Sequence, residues 1–369
     1  MHFLENARRV VIKLGTGVLT SGSGDLNTDV VEGIAREIAA LKQRGLQVVL
    51  VSSGAVGLGR GQLGLKQRPK KLSSLQKCAA VGQSILTELW RHAFEPHGII
   101  VGQLLLTRED VRSRKRHLAI RDLFEEMLTE GIVPIVNEND TVSAAEIKFG
   151  DNDVLSALVA SMTKAQLLVI LSTAPGLVDM KGSGEIVPVV ESITAQIEAM
   201  AGGSGTVVGT GGMITKIQAA RLAMRSGCGA FIGSGANPAI ISDLFAGHAT
   251  GTIFIPSRLP LGSRKRWLAW FEEPRGRLTV DAGAARALRE KGSSLLAKGV
   301  TAAEGNFKRG DVVSVFGPGG EAVARGMAGF RIEELIQILG KDSDQIHTLH
   351  PDRKHVEVIH RDELVLIGK

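Results

Sequence analysis

Cysteine is scarce: Cys78 and Cys228 are the only two in a chain of 369 residues. Neither lies in a Cys-x-x-Cys pair or a Cys/His ligand spacing, which excludes a disulfide scaffold and argues against a zinc site. Tyrosine is absent and aromatics total 4%, too thin and scattered for a platform that stacks nucleic-acid bases. No apolar run approaches the ~20 residues of a membrane span. The polar start at residues 1–9 runs straight into a strand-like segment, with no apolar signal segment. A reducing cytoplasm is the expected compartment. Excess charge is also small: 44 Lys+Arg against 38 Asp+Glu leaves +6. That balance suits small anionic ligands and is too weak to indicate nucleic acid.

What the chain does have is glycine, 45 residues, within a hydrophobic content of 44%. Its length implies about two domains of roughly 150 residues. Short apolar runs rich in Val, Ile and Leu recur at 10–14, 47–51, 99–106, 132–137, 167–172 and 230–233. They are apolar on both faces, as parallel strands covered by helices must be. Helical patterns fall between them at 28–44, 74–94, 115–130, 153–163 and 213–226, with Thr28 as a cap for the first. The alternation predicts a three-layer α-β-α sandwich on a mainly parallel sheet. Near residue 258 the pattern changes. A stretch with two prolines, two tryptophans and Arg264-Lys265-Arg266 leads into short strand-like runs at 277–280, 311–316 and 322–326. Short helices at 282–290 and 332–339 interrupt them, predicting a second, small, β-rich domain.

Four segments carry candidate chemistry. Lys13 ends the first strand and is followed by Leu14-Gly15-Thr16-Gly17. At the carboxyl end of a parallel strand, a lysine beside a glycine turn points into the crevice where such sheets bind ligands. An edge lysine before an ordinary turn has the same local pattern. Ser52-Ser53-Gly54-Ala55 ends the second strand, and the later Gly59-Arg60-Gly61-Gln62-Leu63-Gly64 matches a dinucleotide fingerprint only in form. It stands too far from the strand for that turn. Asn137-Glu138-Asn139-Asp140 follows another strand, and Gly150-Asp151-Asn152-Asp153 precedes a helix. Asp151 reads equally as an N-cap, but one cap does not require Asp-Asn-Asp. Gly209-Thr210-Gly211-Gly212-Met213-Ile214-Thr215-Lys216 opens a helix with glycines and places a lysine one turn in. Free amides, the positive helix end and a cation then meet on one anion.

Taken together and in this order, these segments resemble the amino-acid-kinase family: Val11-Ile12-Lys13-Leu14-Gly15-Thr16, Ser52-Ser53-Gly54-Ala55, the two Asn/Asp clusters and Thr210-Gly211-Gly212-Met213 through Lys216. Arg264-Lys265-Arg266-Trp267, Gly292-Ser293-Ser294-Leu295-Leu296 and Gly305-Asn306-Phe307 with Gly310-Asp311-Val312 look like the PUA domain that some members carry. The resemblance implies a kinase domain at 1–257, a linker at 258–274, a PUA pseudo-barrel at 275–355 and a C-terminal tail at 356–369. It implies ATP-dependent phosphorylation of the L-glutamate side-chain carboxylate, the first step of proline biosynthesis, with proline as feedback inhibitor. Ser53, Gly54, Asp140 and Asn152 would hold glutamate, and Lys13 and Lys216 would bracket the transferring phosphoryl group. Asp151 and Asp153 would orient those lysines or help hold Mg²⁺, which enters with the ATP phosphates and is assigned no direct protein ligand. Lys13, Gly15, Ser172, Thr173, Thr210, Gly211, Gly212, Met213, Ile214, Thr215 and Lys216 would line ATP. Implied partners are further copies of the chain, as a dimer or tetramer, and the next enzyme of the pathway. The PUA domain adds RNA, for which the sequence offers no support of its own. The chain departs from the family at Ser172-Thr173, where Thr-Asp is usual, and at Gly17, where serine is common.

Overall fold

The computed structural model describes residues 2–20, 26–142, 152–180, 182–201, 212–257, 274–349, 351, 353 and 355–367. The chain divides into two compact units, Met1–Pro260 and Leu261–Lys369. In the first, β1 (Arg9–Leu14), β2 (Gln47–Ser52), β3 (Val101–Leu106), β4 (Val133–Glu138), β5 (Leu167–Ser172), β6 (Val189–Val190), β7 (Gly229–Ser234) and β8 (Gly251–Phe254) form one sheet. Its order is β3-β4-β2-β1-β5-β7-β8-β6. Only the β7–β8 pair is antiparallel. Every residue of β4 and β5 is buried, as expected of parallel strands covered on both faces. The helices of this unit, among the described residues, are α1 (His2–Glu5), α2 (Thr16–Leu19), α3 (Thr28–Gln43), α4 (Ala55–Gln62), α5 (Leu72–Phe94), α6 (Arg108–Arg112), α7 (Arg114–Thr129), α8 (Asn152–Met162), α9 (Ala195–Ala201), α10 (Met213–Arg225) and α11 (Ile240–Ala246). None of the described helices is long and apolar enough to cross a membrane.

The chain leaves β1 toward β2 on one side and returns beside it as β5 on the other, so a crevice opens at the carboxyl end of β1. Side chains alternate along β1. Val10, Ile12 and Leu14 join the core formed with α3 and α5. Lys13, of the opposite phase, meets the layer that contains α8. The cap of α3 is Asn27, whose side chain accepts from the Val30 amide at 3.4 Å, and not Thr28. Strands β6 and β8, absent from the sequence reading, span two and four residues. Runs that short carry no periodicity and are specified by pairing partners.

The second unit is a five-stranded sheet of β9 (Gly276–Val280), β10 (Val300–Gly305), β11 (Val312–Phe316), β12 (Ala322–Met327) and β13 (Leu364–Leu366), in the order β10-β9-β11-β12-β13. The β9–β11 pair is parallel and the others are antiparallel. Helices α12 (Ala282–Lys291), α13 (Ile332–Ile338) and α14 (Ser343–Leu349) accompany it. Asp281 caps α12 by accepting from Ala284 N at 2.7 Å. Phe307, Phe330, Leu278 and Val315 centre its own core. Residues 356–367 are not a tail appended to this unit. Val356, Val358, Ile359, Leu364 and Val365 are buried, and β13 pairs along β12. That strand would otherwise be a sheet edge, so the terminal segment supplies both backbone partners and apolar cover. Of the expected linker, 258–273 lies outside the described residues.

Candidate active site

Three elements bring one buried ionic cluster together. Lys13 arrives on β1, Asp153 on the first turn of α8 and Lys216 on the first turn of α10. Lys13 Nζ lies 2.5 Å from Asp153 Oδ1 and Lys216 Nζ 3.0 Å from Asp153 Oδ2. All three residues are buried, Asp153 completely. The Thr215 hydroxyl stands 3.0 Å from Asp153 Oδ2 and 2.9 Å from Gly212 O, and its single proton serves one of them at a time. Burial alone raises the pKa of the Asp153 carboxyl. The ammonium groups of Lys13 and Lys216, with their hydrogen bonds, outweigh it and hold the carboxyl below its ordinary value. The cluster is thus one carboxylate between two cations. Each ammonium carries three N–H donors, so the pair can address an anion while keeping its hold on Asp153.

Next to it, through the Asn152-Asp153 step, lies a cluster of amides. Asn152 Nδ2 donates to Ser53 Oγ at 2.8 Å and to Asn137 Oδ1 at 2.8 Å. Both amide hydrogens are therefore used, and Asn152 Oδ1 is left buried with no hydrogen-bond partner among the described residues. A buried acceptor of this kind calls for a donor, from an ordered water or from a ligand. Gly54, between Ser53 and α4, has φ 116°, a backbone conformation that favours glycine and turns the chain sharply into that helix.

The remaining predicted residues fall as follows. The Gly15 N–H donates to Leu171 O at 2.9 Å, tying the turn after β1 to β5. Asp140 stands half-buried in the turn after β4, its N–H donating to Glu138 O at 3.0 Å. Ser172 ends β5, and its Oγ accepts from Ala174 N at 3.1 Å. Gly212 caps α10 in an extended conformation, followed by Met213 and Ile214, which is exposed. Thr173 is exposed, and a Cβ on Gly17 would come within 2.9 Å of its methyl group. The two departures from the family pattern are thus neighbours, Gly17 leaving room for the Thr173 methyl group. Asp151, Thr210 and Gly211 lie outside the described residues.

Sequence reasoning passes over two residues that the structure places in the amide cluster. Asn137, last but one in β4, reads in the sequence only as part of a motif whose weight rests on Asp140. Gln83 is not singled out at all, yet Asn137 Nδ2 donates to its Oε1 at 2.9 Å. A signal exists: a lone amide on the face of α5 that otherwise buries Cys78, Ala79, Gly82, Leu86 and Trp90. Among the described residues no group of three or more His, Cys, Asp or Glu side chains is arranged to hold a metal. Asp153, the one described carboxylate at the cluster's centre, is engaged by cations on both oxygens. This donor set fits a Mg²⁺ that enters on phosphate oxygens, which is how that ion is commonly held.

The amino acid kinase family pattern matches residues 8–234, and the PUA domain pattern matches residues 276–350. The glutamate 5-kinase of Trichlorobacter lovleyi is 45% identical over 368 residues, covering 99% of this chain and 98% of that protein. The glutamate 5-kinases of Geobacter sulfurreducens and Moorella thermoacetica are each 44% identical, covering 99% of this chain and 99% and 98% of their own. Among solved structures, carbamate kinase from Giardia lamblia bound to AMP-PNP covers 68% of this chain at 20% identity with a TM-score of 0.48. At that score the likeness carries no argument about the site. The family match and the full-length relatives agree with the fold, and the chain belongs to the amino acid kinase family and, within it, to the glutamate 5-kinases, phosphotransferases that here carry a PUA domain.

Proposed function

We propose that the chain transfers the γ-phosphoryl group of ATP to the side-chain carboxylate of L-glutamate, forming L-glutamyl 5-phosphate and ADP in the cytoplasm. The observation that carries this reading is the junction at Asn152-Asp153. On one side two lysines share a buried carboxylate, and on the other a buried amide oxygen lacks a donor.

The nucleophile is the glutamate carboxylate, already ionised at neutral pH, so no general base is required. One of its oxygens forms a bond to the γ-phosphorus while the bond from that phosphorus to the bridging oxygen of ADP breaks. Such transfers depend on in-line positioning and on offsetting charge at the equatorial oxygens. Lys13 and Lys216 fill the second role, and Asp153 holds both ammonium groups at one place. Asn152 Oδ1 takes a donor from the glutamate α-ammonium, and Ser53, Gly54 and Asp140 complete the acceptor side. Residues 210–216, with Gly15, Ser172 and Thr173, line ATP, and Asp151 assists Asp153. Mg²⁺ entering with the nucleotide would supply charge neutralisation on the phosphates, held by phosphate oxygens beside Lys13, Lys216 and Asp153 and not by a direct protein ligand. Proline, which carries an ammonium and a carboxylate on one carbon as glutamate does, competes for the acceptor site around residues 139–150.

A hydroxamate or ADP-release assay with ATP, Mg²⁺ and each of L-glutamate, L-aspartate and N-acetyl-L-glutamate tests the assignment. Turnover is expected with glutamate, and equal turnover with either alternative would remove it. Added proline should raise the apparent KM for glutamate with little change in kcat. Inhibition that glutamate does not relieve would place proline elsewhere.

A further inference from the structure

The amide cluster does not end at the residues that face the crevice. Asn137 Oδ1 accepts from the backbone N–H of Glu138 at 2.9 Å as well as from Asn152. A backbone N–H can only donate, so Asn137 must present its oxygen there. Its Nδ2 is then turned toward α5, into the interior, where it requires an acceptor. Gln83 Oε1 is that acceptor, at 2.9 Å, from a side chain that is 9% exposed. With Asn137 oriented in this way, Asn152 has to turn Nδ2 toward it, and Oδ1 is left as the unsatisfied atom.

Helix α5 delivers Gln83 with little freedom. A Cβ on the adjacent Gly82 would run into the carbonyl of Ala55, and one on Gly59 into that of Cys78, so α4 and α5 touch backbone to backbone. Further along the helix, Trp90 Nε1 donates to Ser52 Oγ at 2.9 Å, fixing α5 to the end of β2. One helix therefore holds both strand ends, β2 and β4, that flank Asn152.

We infer that Gln83 is a positioning residue for the acceptor substrate: by accepting from Asn137 Nδ2, it holds Asn137 in the orientation that the Glu138 N–H demands, and so keeps Asn152 Oδ1 turned as the acceptor for the substrate's α-ammonium. The inference rests on the glutamate reading above. Gln83 acts through Asn137, so its removal should weaken recognition of the amino group and leave the phosphoryl side alone.

The test uses the full chain and two substitutions. Gln83→Met keeps the volume and loses the acceptor, whereas Gln83→Glu keeps an oxygen at the same place. Leaving Asn137 Nδ2 buried and unpaired should raise the KM for glutamate about tenfold or more in Gln83→Met. The kcat and the KM for ATP should stay within about twofold, since no group that offsets phosphoryl charge is touched. Gln83→Glu should recover most of the lost affinity. Glutarate, which has the two carboxylates without the ammonium, should inhibit parent and Gln83→Met with the same Ki. A glutamate KM unchanged in Gln83→Met, or a loss shared equally by glutamate, glutarate and ATP, would overturn the inference. Thermal unfolding establishes that each variant is folded, and Gln83→Leu repeats the measurement if Gln83→Met is not. If neither folds, Gln83 is a structural residue and the inference is wrong. A parent enzyme that turns over ATP but ignores glutamate would instead remove the functional reading itself.

Discussion

Asp153 faces two ammonium groups with a single carboxylate, and this arrangement has consequences for stability as well as chemistry. Replacing it by asparagine leaves Lys13 and Lys216 buried as like charges. Removing one partner from a buried ionic group typically costs about 3–5 kcal/mol, and Asp153→Asn should lose stability on that order in urea unfolding. The pH dependence follows from the lowered pKa of Asp153. A carboxyl depressed in the folded state contributes stability that is fully present above its unfolded value and is lost as pH falls through the folded one. The stability gap between the parent and Asp153→Asn should therefore narrow as pH drops below the ordinary carboxylate range. A gap that widened on acidification would contradict the assignment. Lys216, 5% exposed, is no surface lysine. If its charge acts chiefly in the transition state, Lys216→Ala should lower kcat about 100-fold or more with a small change in the glutamate KM. A variant within about twofold of the parent would assign Lys216 a purely structural part.

Helices α4 and α5 show how an element can be specified by what it omits. Their contact requires glycine at 59 and 82, because any Cβ there meets main-chain atoms of the opposite helix. Overpacking of this kind typically costs about 1–3 kcal/mol, and Gly82→Ala should fall at or beyond the top of that range in equilibrium unfolding. Gly61, also in α4, has open space where a methyl group would stand, with nothing within 4 Å. Gly61→Ala should therefore be neutral or stabilising by up to about 1 kcal/mol through helix propensity. Equal effects at the two positions would mean that the helices do not approach as described. The contrast also shows where sequence reading runs out. The glycine string from Gly59 to Gly64 is no dinucleotide turn, as its distance from the strand indicates, yet nothing local marks Gly59 as the site of a helix contact. Long central strands such as β4 and β5 are legible because both faces are apolar. The short β6, β8 and β13 depend on pairing partners elsewhere in the chain, β10 is as long as β4 but largely exposed, and α14 is too brief for its spacing to stand out.

The two units have separate hydrophobic cores, one around β1, α3 and α5 and one around Phe307 and Phe330. Lys13, Ser53, Asn137, Asn152, Asp153 and Lys216 all belong to Met1–Pro260. A chain ended at Pro260 should accordingly fold and still phosphorylate glutamate, as judged by circular dichroism and by turnover at saturating ATP and glutamate. Sensitivity to proline is a separate readout, since the removed unit can bias the acceptor site without supplying chemistry. A truncated protein that is soluble and folded yet inactive would show that residues 261–369 contribute to the active site.

Order, type and layer of the long elements followed from the sequence, because period and strand apolarity are local consequences of what covers each face. So did the chemical inventory: a lysine after a first strand, an Asn-Asp pair opening a helix, a lysine one turn into another. Their meeting did not follow. Lys13 and Asp153 are 140 positions apart (153 − 13), and Lys216 is 63 positions further on. Only the tertiary structure, which sets β1 against α8 and beside β5, brings the two ammonium groups onto one carboxylate. Gln83 is the sharper case. In the chain it is one polar residue on an apolar helix face, compatible with a satisfied core amide and nothing more. Its part arises from a backbone N–H at Glu138 that can only donate, and from the Asn137 amide between them and the Asn152 amide beside it, which must then choose which end to present. Hydrogen-bond polarity of that kind passes from partner to partner through space, so it comes into being only when the chain has folded.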